Sequence, residues 1–357
     1  MNDNRFCIIL AGGIGSRLWP TSTKEKPKQF IDLLGTGETL LQTTYRRYRQ
    51  FISPDNIIIL TNHSYAHYVQ EQIPELSADN LLLEPIRRNT VSSAAWGAIH
   101  AIRKNPDATL IITPADQKID EQGDAFRNDI LRGFTYAESH NRLLSVGVTP
   151  TRPDTNYGYI QMAEHASDGI YKVKSFSEKP SEDFAHMFLD SGEFLWNTSI
   201  FIFRANTFLH SLSEVSTTIN DIIQKMNHLM AEHQPIHDVV MDTYAHCPNN
   251  TIEQIFLDKT INADVMHANF VWEDIGSWSQ LYSLLPKQDN NNVVLTKKSL
   301  LHNCEGCIVN APSDKLIVAQ DLKDYVIIAD NDVIMICKKE DQQAVRNFVN
   351  DVDLIRS

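Results

Sequence analysis

Several things are scarce in this chain, and each shortage closes off a class of protein. Cysteine is one: there are five in 357 residues. An odd, thin set argues against a disulfide framework and for reduced thiols, as found in the cytoplasm. Cys304 and Cys307 make a lone C-x-x-C with no second pair and no histidine at metal spacing. They read as small apolar side chains in strands rather than as a zinc or redox centre. Long apolar runs are absent too, with no window of about eighteen such residues to make a transmembrane helix. The N-terminus, MNDNRF, lacks the signature of a secretory signal. Positive charge is in deficit, since the formal net charge is −13. Such a field does not attract nucleic acid or an anionic membrane. Two phosphate-binding patterns are also missing: neither G-x-G-x-x-G nor G-x-x-x-x-G-K-[ST] occurs after the first apolar run. A nicotinamide dehydrogenase and a P-loop ATPase lose their usual marks, and the second strand, NIIILT, ends without a ribose-binding acid.

What is present is a regular alternation over the first 150 residues. Apolar runs at FCIILA (6–11), NIIILT (56–61), NLLLEP (80–85), ATLIITPAD (108–116) and RLLSVGV read as strands. Helical patterns lie between them, at 39–48, 64–73 and 89–104 and in GDAFRNDILRGFTYAES, with Asn89 or Thr90 as the N-cap of the third. Strands without polar alternation, spaced by helices, imply a parallel sheet covered on both faces. The expected fold is α/β: a doubly wound, mostly parallel, Rossmann-like sheet. From about 155 to 280 the pattern is mixed, as for a sheet extended by antiparallel strands, with helix over 205–230. The polar stretch KQDNNN (287–292) reads as a linker. It divides a 1–286 domain from a small 287–357 β domain with β-helix-like turns and a final helix. No strict period marks that segment as a repeat. His63 and His67 stand at i, i+4 with no acid nearby and read as surface residues.

The stretch CIILAGGIGSRLWPTSTKEKPKQF (7–30) follows an apolar run with Gly12, Gly13 and Gly15, then Arg17, Lys24, Lys26 and Lys28. In an open α/β sheet, ligands sit beyond the carboxyl ends of the strands. Glycine there lets backbone N–H groups approach phosphate oxygens. In so acidic a chain, a local cluster of cations implies a polyanionic ligand.

These residues resemble the signature of the sugar-1-phosphate nucleotidyltransferases, L-A-G-G-x-G-S-R-L-W-P…K-P-K-Q-F. The W-P and P-K-Q-F are most similar to the mannose-1-phosphate guanylyltransferases, also called GDP-mannose pyrophosphorylases. The resemblance continues in order through E-P-x-x-R-N-T (84–90), P-A-D (114–116), Y-G-Y-I (157–160), F-S-E-K-P (176–180), W-N-T-S (196–199) and W-E-D-I-G-S-W (272–278). It implies transfer of GMP from GTP to mannose 1-phosphate, giving GDP-mannose and pyrophosphate. The sugar phosphate attacks the α-phosphate in line, and no general base is required because the nucleophile is already ionised. Such chemistry asks for charge neutralisation and positioning.

The resemblance assigns parts as follows. Nucleotide contacts come from Leu10, Ala11, Gly12, Gly13, Gly15, Ser16 and Arg17, and from Glu84, Pro85, Arg88, Asn89 and Thr90. Arg17 suits the triphosphate because its planar fork grips two oxygens, and Lys28 meets phosphate during the chemistry. Asp116 and Asp274 hold Mg2+, an ion satisfied by one or two carboxylates with phosphate and water. Glu84 accepts from the N1 and N2 donors of guanine, with the backbone near Gly12 at O6. Gly158, Glu178, Lys179 and Asn197 bind the sugar phosphate. Relatives commonly have His where Gln117 stands, Val where Ser177 stands, and Ser-Gly after the Asn of W-N-T-S. Plainer readings compete: a solvated basic loop for 24–28, a cap or turn for Asp116, an exposed ion pair for Glu178 and Lys179. A nucleotidyltransferase for another sugar 1-phosphate or another base, or a sensor without catalysis, would share most of these motifs. Some relatives carry a phosphomannose isomerase domain after this one. At this length a single activity is expected, in a cytoplasmic protein free of nucleic acid and membrane and capable of forming a homodimer.

Overall fold

The computed structural model describes residues 3–120, 123–231, 240, 243–259, 262–330 and 332–356. They form two compact units, each assembled from three stretches of chain. The first comprises Met1–Gly12, Thr44–Ala115 and Ile119–Glu273; the second comprises Gly13–Thr43, Asp116–Lys118 and Asp274–Ser357.

The first unit is α/β. Its early strands are β1 (Arg5–Leu10), β2 (Ile57–Asn62), β3 (Leu81–Glu84) and β4 (Thr109–Pro114); short β5, Gln117–Ile119, starts in the second unit's stretch Asp116–Lys118. Then come β6 (Leu143–Val148), β7 (Gly158–Ser167), β8 (Ile170–Glu178), β9 (Phe194–Arg204) and β10 (Ala263–Ala268), with short β11 at Trp272–Asp274. The large sheet runs β3-β2-β1-β4-β9-β6-β10-β8-β7. Its first four strands are parallel, with Cys7 opposite both Ile57 and Ile111. Their apolar runs are continuous because both faces are covered. Register places Cys7, Ile111 and Ile202 on one face and Ile8, Ile112 and Phe201 on the other. The helix α1 spans Leu40–Arg49, α2 Ala66–Gln72, α3 Asn89–Lys104 and α4 Ala125–Ser139. A Cβ on Gly97 of α3 would lie 2.5 Å from Ile8 Cδ1, and one on Gly133 of α4 would lie 2.5 Å from Ile202 Cδ1. The two helices therefore cover opposite faces at close approach. Each large apolar side chain buried this way contributes about 1.5–3 kcal/mol.

The rest of the sheet departs from the expected mostly parallel order. β9 pairs antiparallel with β4, β6 and β7. Along one edge, Phe201–Arg204 meets β4 while Phe194–Trp196 meets β7; the other edge meets β6. This partner change along one long strand closes β9-β6-β10-β8-β7 into a five-strand ring. A register shift between Val146 and Gly147 bends the pairing there, as bulges do.

Two helix expectations are corrected. α3 begins at Asn89, with Arg88 in the cap position and no side-chain cap, and Asn89 has φ 53°. The 205–230 helix is two helices, α6 (Ala205–Val215) and α7 (Thr217–Ala231), split at the extended Ser216. Before them α5 spans Glu182–Ser191.

In the second unit the chain coils between two small sheets. β12 (Val293–Val294), β14 (Ile308–Asn310) and β16 (Tyr325–Ala329) stack in parallel, and β17 (Ile334–Lys338) closes them antiparallel. β13 (Ser299–His302) and β15 (Ile317–Gln320) form the second, parallel pair. The corners after β13 and β15 match: Asn303 and Asp321 have φ 50° and 56°, and Gly306 and Asp324 have 65° and 58°. Gly, Asn and Asp tolerate this left-handed backbone best. Leu18, Trp19, Trp278, Leu281, Ile308, Val326, Ile328 and Val345 share one core, which ties the glycine loop's first turn to this coil and to the final helix Gln342–Arg356.

Candidate active site

The glycine loop belongs to the second unit from Gly13 onward. Gly15 has φ 67°, and a Cβ there would lie 2.7 Å from Ser22 Oγ and 2.8 Å from Lys28 Cγ. Only glycine meets both conditions. The 3-10 turn Ser16–Leu18 follows, and Ser22 donates to the Ile14 carbonyl at 2.9 Å. Pro27 then starts a second 3-10 turn, Lys28–Phe30, which turns Lys28 and Gln29 inward. Gln29 donates to the Gly13 carbonyl at 2.9 Å and so fixes the loop from behind.

Lys28 is only 6% exposed. Its Nζ lies 2.8 Å from Asp116 Oδ2 and donates to the Ile275 carbonyl at 2.7 Å. Burial alone pushes the ammonium's pKa down, but Asp116 and Asp274 outweigh it and hold it above the ordinary lysine value. Arg17 acts on the same ammonium from the other sign. A Cβ on Gly276 would lie 2.5 Å from Asp274 Oδ2 and 2.6 Å from Arg17 Nη2, so both side chains pass over this glycine. The next helix, Trp278–Leu284, is capped by Ser277, and Gln280 takes the Gly276 N–H at 3.1 Å. The structure thus brings Gly15, Arg17, Lys28, Asp116 and Asp274 into one cluster within the second unit. Lys24 and Lys26 are exposed, as are His63 and His67. All five cysteines are free and buried.

Asp116 and Asp274 offer only oxygen donors, and both act on the single point marked by Lys28 Nζ. That donor set fits Mg2+, which needs one or two carboxylates beside phosphate and water. Among the described residues no group of three or more His, Cys, Asp or Glu gathers as a fuller metal site.

The first unit holds the remaining candidates. Leu10 ends β1, and Ala11 is held by its N–H to the Leu60 carbonyl and by Thr61 Oγ1 on its own carbonyl, both at 2.8 Å. Glu84, 7% exposed, ends β3 before Pro85. Its Oε1 accepts from Ser93 at 2.5 Å and from the Tyr244 hydroxyl. Its Oε2 would lie 3.2 Å from a Cβ on Gly12. Burial raises its pKa against those hydrogen bonds and Arg87, which lower it. Arg88 and Asn89 donate to the carbonyls of Ala245 and Asn249, and Thr90 Oγ1 accepts from the Ile252 N–H. These three side chains hold the 245–252 segment.

Gly158 opens β7 directly opposite Glu178. A Cβ on it would lie 2.8 Å from the Phe176 ring and 3.1 Å from Glu178 Oε2. Lys179 adopts φ 46° and pairs with Glu178 at 2.8 Å, with both side chains more than half exposed. Asn197 is buried on β9; it takes the Ser199 N–H at 3.1 Å and donates to Glu253 Oε1 at 3.1 Å. Ser199 has φ 55°, and its hydroxyl donates to the same Glu253 oxygen at 2.7 Å. The W-N-T-S loop therefore has a left-handed residue at Ser199, with Glu253 holding its side chain.

Sequence reasoning missed Ser93, Tyr244, Glu253 and Arg152. Arg152 grips Glu273 at both oxygens, at 2.8 and 2.9 Å, and Tyr157 adds a third contact at 3.0 Å. Neighbours on a strand point to opposite faces, so Glu273 is held away from the side that Asp274 takes. No local pattern announces any of the four; their partners lie more than fifty positions away except for Ser93, nine from Glu84.

The chain has relatives among known proteins. The family model described as nucleotidyl transferase matches residues 6–291. A mannose-1-phosphate guanylyltransferase of Klebsiella pneumoniae is 32% identical over 347 residues, 96% of this chain and 72% of that one. The alginate biosynthesis protein AlgA of Pseudomonas aeruginosa is 36% identical over 356 residues, 97% of this chain and 72% of that one. A crystal structure described as mannose-1-phosphate geranyltransferase from Thermus thermophilus superposes with a TM-score of 0.85 at 26% identity, over 98% of this chain and 99% of that one. With two aspartates and a lysine gathered beside a glycine turn, and with nearly its whole length matched by these relatives, this chain belongs to the nucleotidyl transferase family.

Proposed function

We propose that the protein transfers GMP from GTP to mannose 1-phosphate, releasing pyrophosphate and GDP-mannose. The observation that carries this reading is the cluster of Lys28, Asp116, Asp274 and Arg17 in the second unit. It has the two signs of charge that phosphoryl transfer needs and no nucleophile of its own. Relatives carrying the mannose-1-phosphate guanylyltransferase name supply the sugar and the base.

Each side chain has a physical task. Arg17 and the N–H groups from Gly13 to Arg17 bind triphosphate oxygens, which fixes the α-phosphate for in-line attack. Lys28, kept charged by its two carboxylates, meets charge that grows on the phosphates as the bond to pyrophosphate breaks. Asp116 and Asp274 would hold Mg2+, which when bound neutralises phosphate charge. Glu84 contacts the base. Gly158 lets backbone approach the sugar, and Glu178 and Lys179 exchange their mutual ion pair for a sugar hydroxyl and the sugar phosphate. Asn197 acts on the sugar through the bond that orients Glu253. We read the parallel half of the sheet as Rossmann-like and doubly wound, with helices on both faces, and residues 287–357 as a small β domain ending in a helix. No described helix is long and apolar enough to cross a membrane.

Pyrophosphate release, measured across nucleoside triphosphates and sugar 1-phosphates with Mg2+, tests this directly. The pair GTP and mannose 1-phosphate should give the highest kcat/KM. A higher value for another sugar phosphate or another base would replace the assigned substrate while keeping the reaction class.

A further inference from the structure

Glu84, Ser93 and Tyr244 are a buried polar trio built from three segments: the end of β3, helix α3 and the 243–247 stretch. They are 7%, 6% and 1% exposed. Both hydroxyls converge on one oxygen of Glu84. Ser93 donates to Oε1 at 2.5 Å, and the Tyr244 hydroxyl donates to the same atom. The two hydroxyl oxygens are themselves 3.5 Å apart. Trp96 packs edge-on against the Tyr244 ring at 5.8 Å and holds it there. A carboxylate oxygen has two lone-pair sites, so Oε1 is filled. The other oxygen, Oε2, is the one turned toward Gly12, where any Cβ would come within 3.2 Å of it.

We propose that Ser93 and Tyr244 are positioning residues that saturate Oε1 and present Oε2 as a single acceptor, so that Glu84 reads one ring N–H of a 6-oxopurine rather than gripping a paired donor edge. This rests on Glu84 as the base contact and changes what that contact can discriminate. Guanine and hypoxanthine both carry the N1–H donor, whereas adenine presents an acceptor at N1. The amino group of guanine then contributes little through Glu84, and the site takes inosine as well as guanosine triphosphate. Both hydroxyls also favour the ionised carboxylate, against the burial that disfavours it. The other groups facing the trio are Arg87, which also favours the ionised form, and Cys247, beside the Tyr244 ring.

The test is kcat/KM for GTP, ITP and ATP with mannose 1-phosphate, read by pyrophosphate release over pH, on the wild-type protein, Tyr244→Phe, Ser93→Ala and Glu84→Gln. In the wild type, ITP should come within about tenfold of GTP and ATP should be far poorer. Tyr244→Phe keeps the ring and removes one donor. Its KM for GTP should rise about tenfold, as for a lost bond to a charged group, with kcat little changed. The acid limb of its kcat/KM profile should move to higher pH, because the ionised form has lost a donor. Ser93→Ala should do the same, and is the control if Tyr244→Phe folds poorly. An ITP penalty of about a hundredfold or more in the wild type, as expected for a buried acceptor left unpaired, would overturn the single-acceptor geometry. So would pH profiles in both variants that coincide with the wild type. If Glu84→Gln left the choice among the three nucleotides unaltered, the base contact itself would be lost, which is a separate failure.

Discussion

At the scale of single residues, Lys28 shows how the site resolves a conflict. A buried ammonium is unfavourable by itself, and two carboxylates turn it into a fixed charge. Lys28→Met keeps the side-chain volume but leaves Asp116 without its ion-pair partner and Asp274 without that nearby positive charge. Stability should fall by about 3 kcal/mol, as for a broken buried pair, and kcat by at least about a hundredfold. Urea denaturation beside pyrophosphate release measures both; an unchanged kcat would remove Lys28 from the chemistry. Glu84 presents the opposite balance. Its raised pKa means that the folded state binds a proton more readily than the unfolded chain does. Stability is therefore lost as pH rises through that raised value, above which the buried charge is a cost. Glu84→Gln should raise Tm while impairing the choice of nucleotide, and a lower Tm would show that the charge stabilises the fold. Much of this scale was legible in the sequence, because the motif residues Gly15, Arg17, Lys28, Asp116 and Asp274 announce charge and backbone freedom by type. Tyr244 and Arg152 were not. A tyrosine 160 positions from Glu84 carries no mark of its partner until the chain has folded.

At the scale of elements, β9 governs the first unit. Its apolar run SIFIFRA reads as a strand, and the structure begins that strand earlier, at Phe194, and ends it at Arg204. That one edge would serve both β7 and β4 was not readable, since pairing partners are set by the register shift at Val146/Gly147 and not by composition. The bulge carries Ser199 in a left-handed conformation, which costs a non-glycine residue about 1–2 kcal/mol. Its hydroxyl bond to Glu253 offsets part of that cost. Ser199→Ala keeps the strain and loses the bond, and should destabilise by about 1 kcal/mol. Ser199→Gly loses both and should be close to neutral. Thermal unfolding of the two variants decides; equal losses would show that the strain is not stored there. The coil of the second unit hid its repeat for a similar reason. Gly306 and Asp324 are different residues chosen for the same φ, so the corner recurs in backbone geometry and not in letters. The final helix packs Val345 into the core that holds Leu18 and Trp19. Val345→Ala should cost about 2 kcal/mol of burial and raise KM for GTP by loosening the glycine loop, whereas a KM unaffected by that change would separate the helix from the loop.

At the scale of the whole molecule, a net charge of −13 meets a triphosphate substrate. The overall field opposes binding, so the proposed site has to rely on the local charges of Arg17 and Lys28 and on the dipoles of the loop amides. One group whose titration bears on acid stability is a buried histidine. His100 is 7% exposed in α3, and burial, aided by Lys104 and Arg103, lowers its pKa from 6.5 to about 4. The unfolded chain takes up the proton first, so stability is complete above pH 6.5 and is lost as pH falls toward about 4. The loss is on the order of 3 kcal/mol. His100→Gln should flatten the stability curve across that window in urea titrations, and an unaltered slope would place the acid sensitivity elsewhere. The central claim is that Asp116, paired with Lys28, and Asp274, whose charge acts on the same ammonium, belong to the centre that moves a nucleotidyl group. The most direct measurement is the initial rate of pyrophosphate release from GTP, mannose 1-phosphate and Mg2+ by the wild type, Asp116→Asn and Asp274→Asn, each checked for an unchanged Tm within a few degrees. The account predicts turnover in the wild type and a drop of about a thousandfold or more in each folded variant. Either variant retaining wild-type turnover would contradict it.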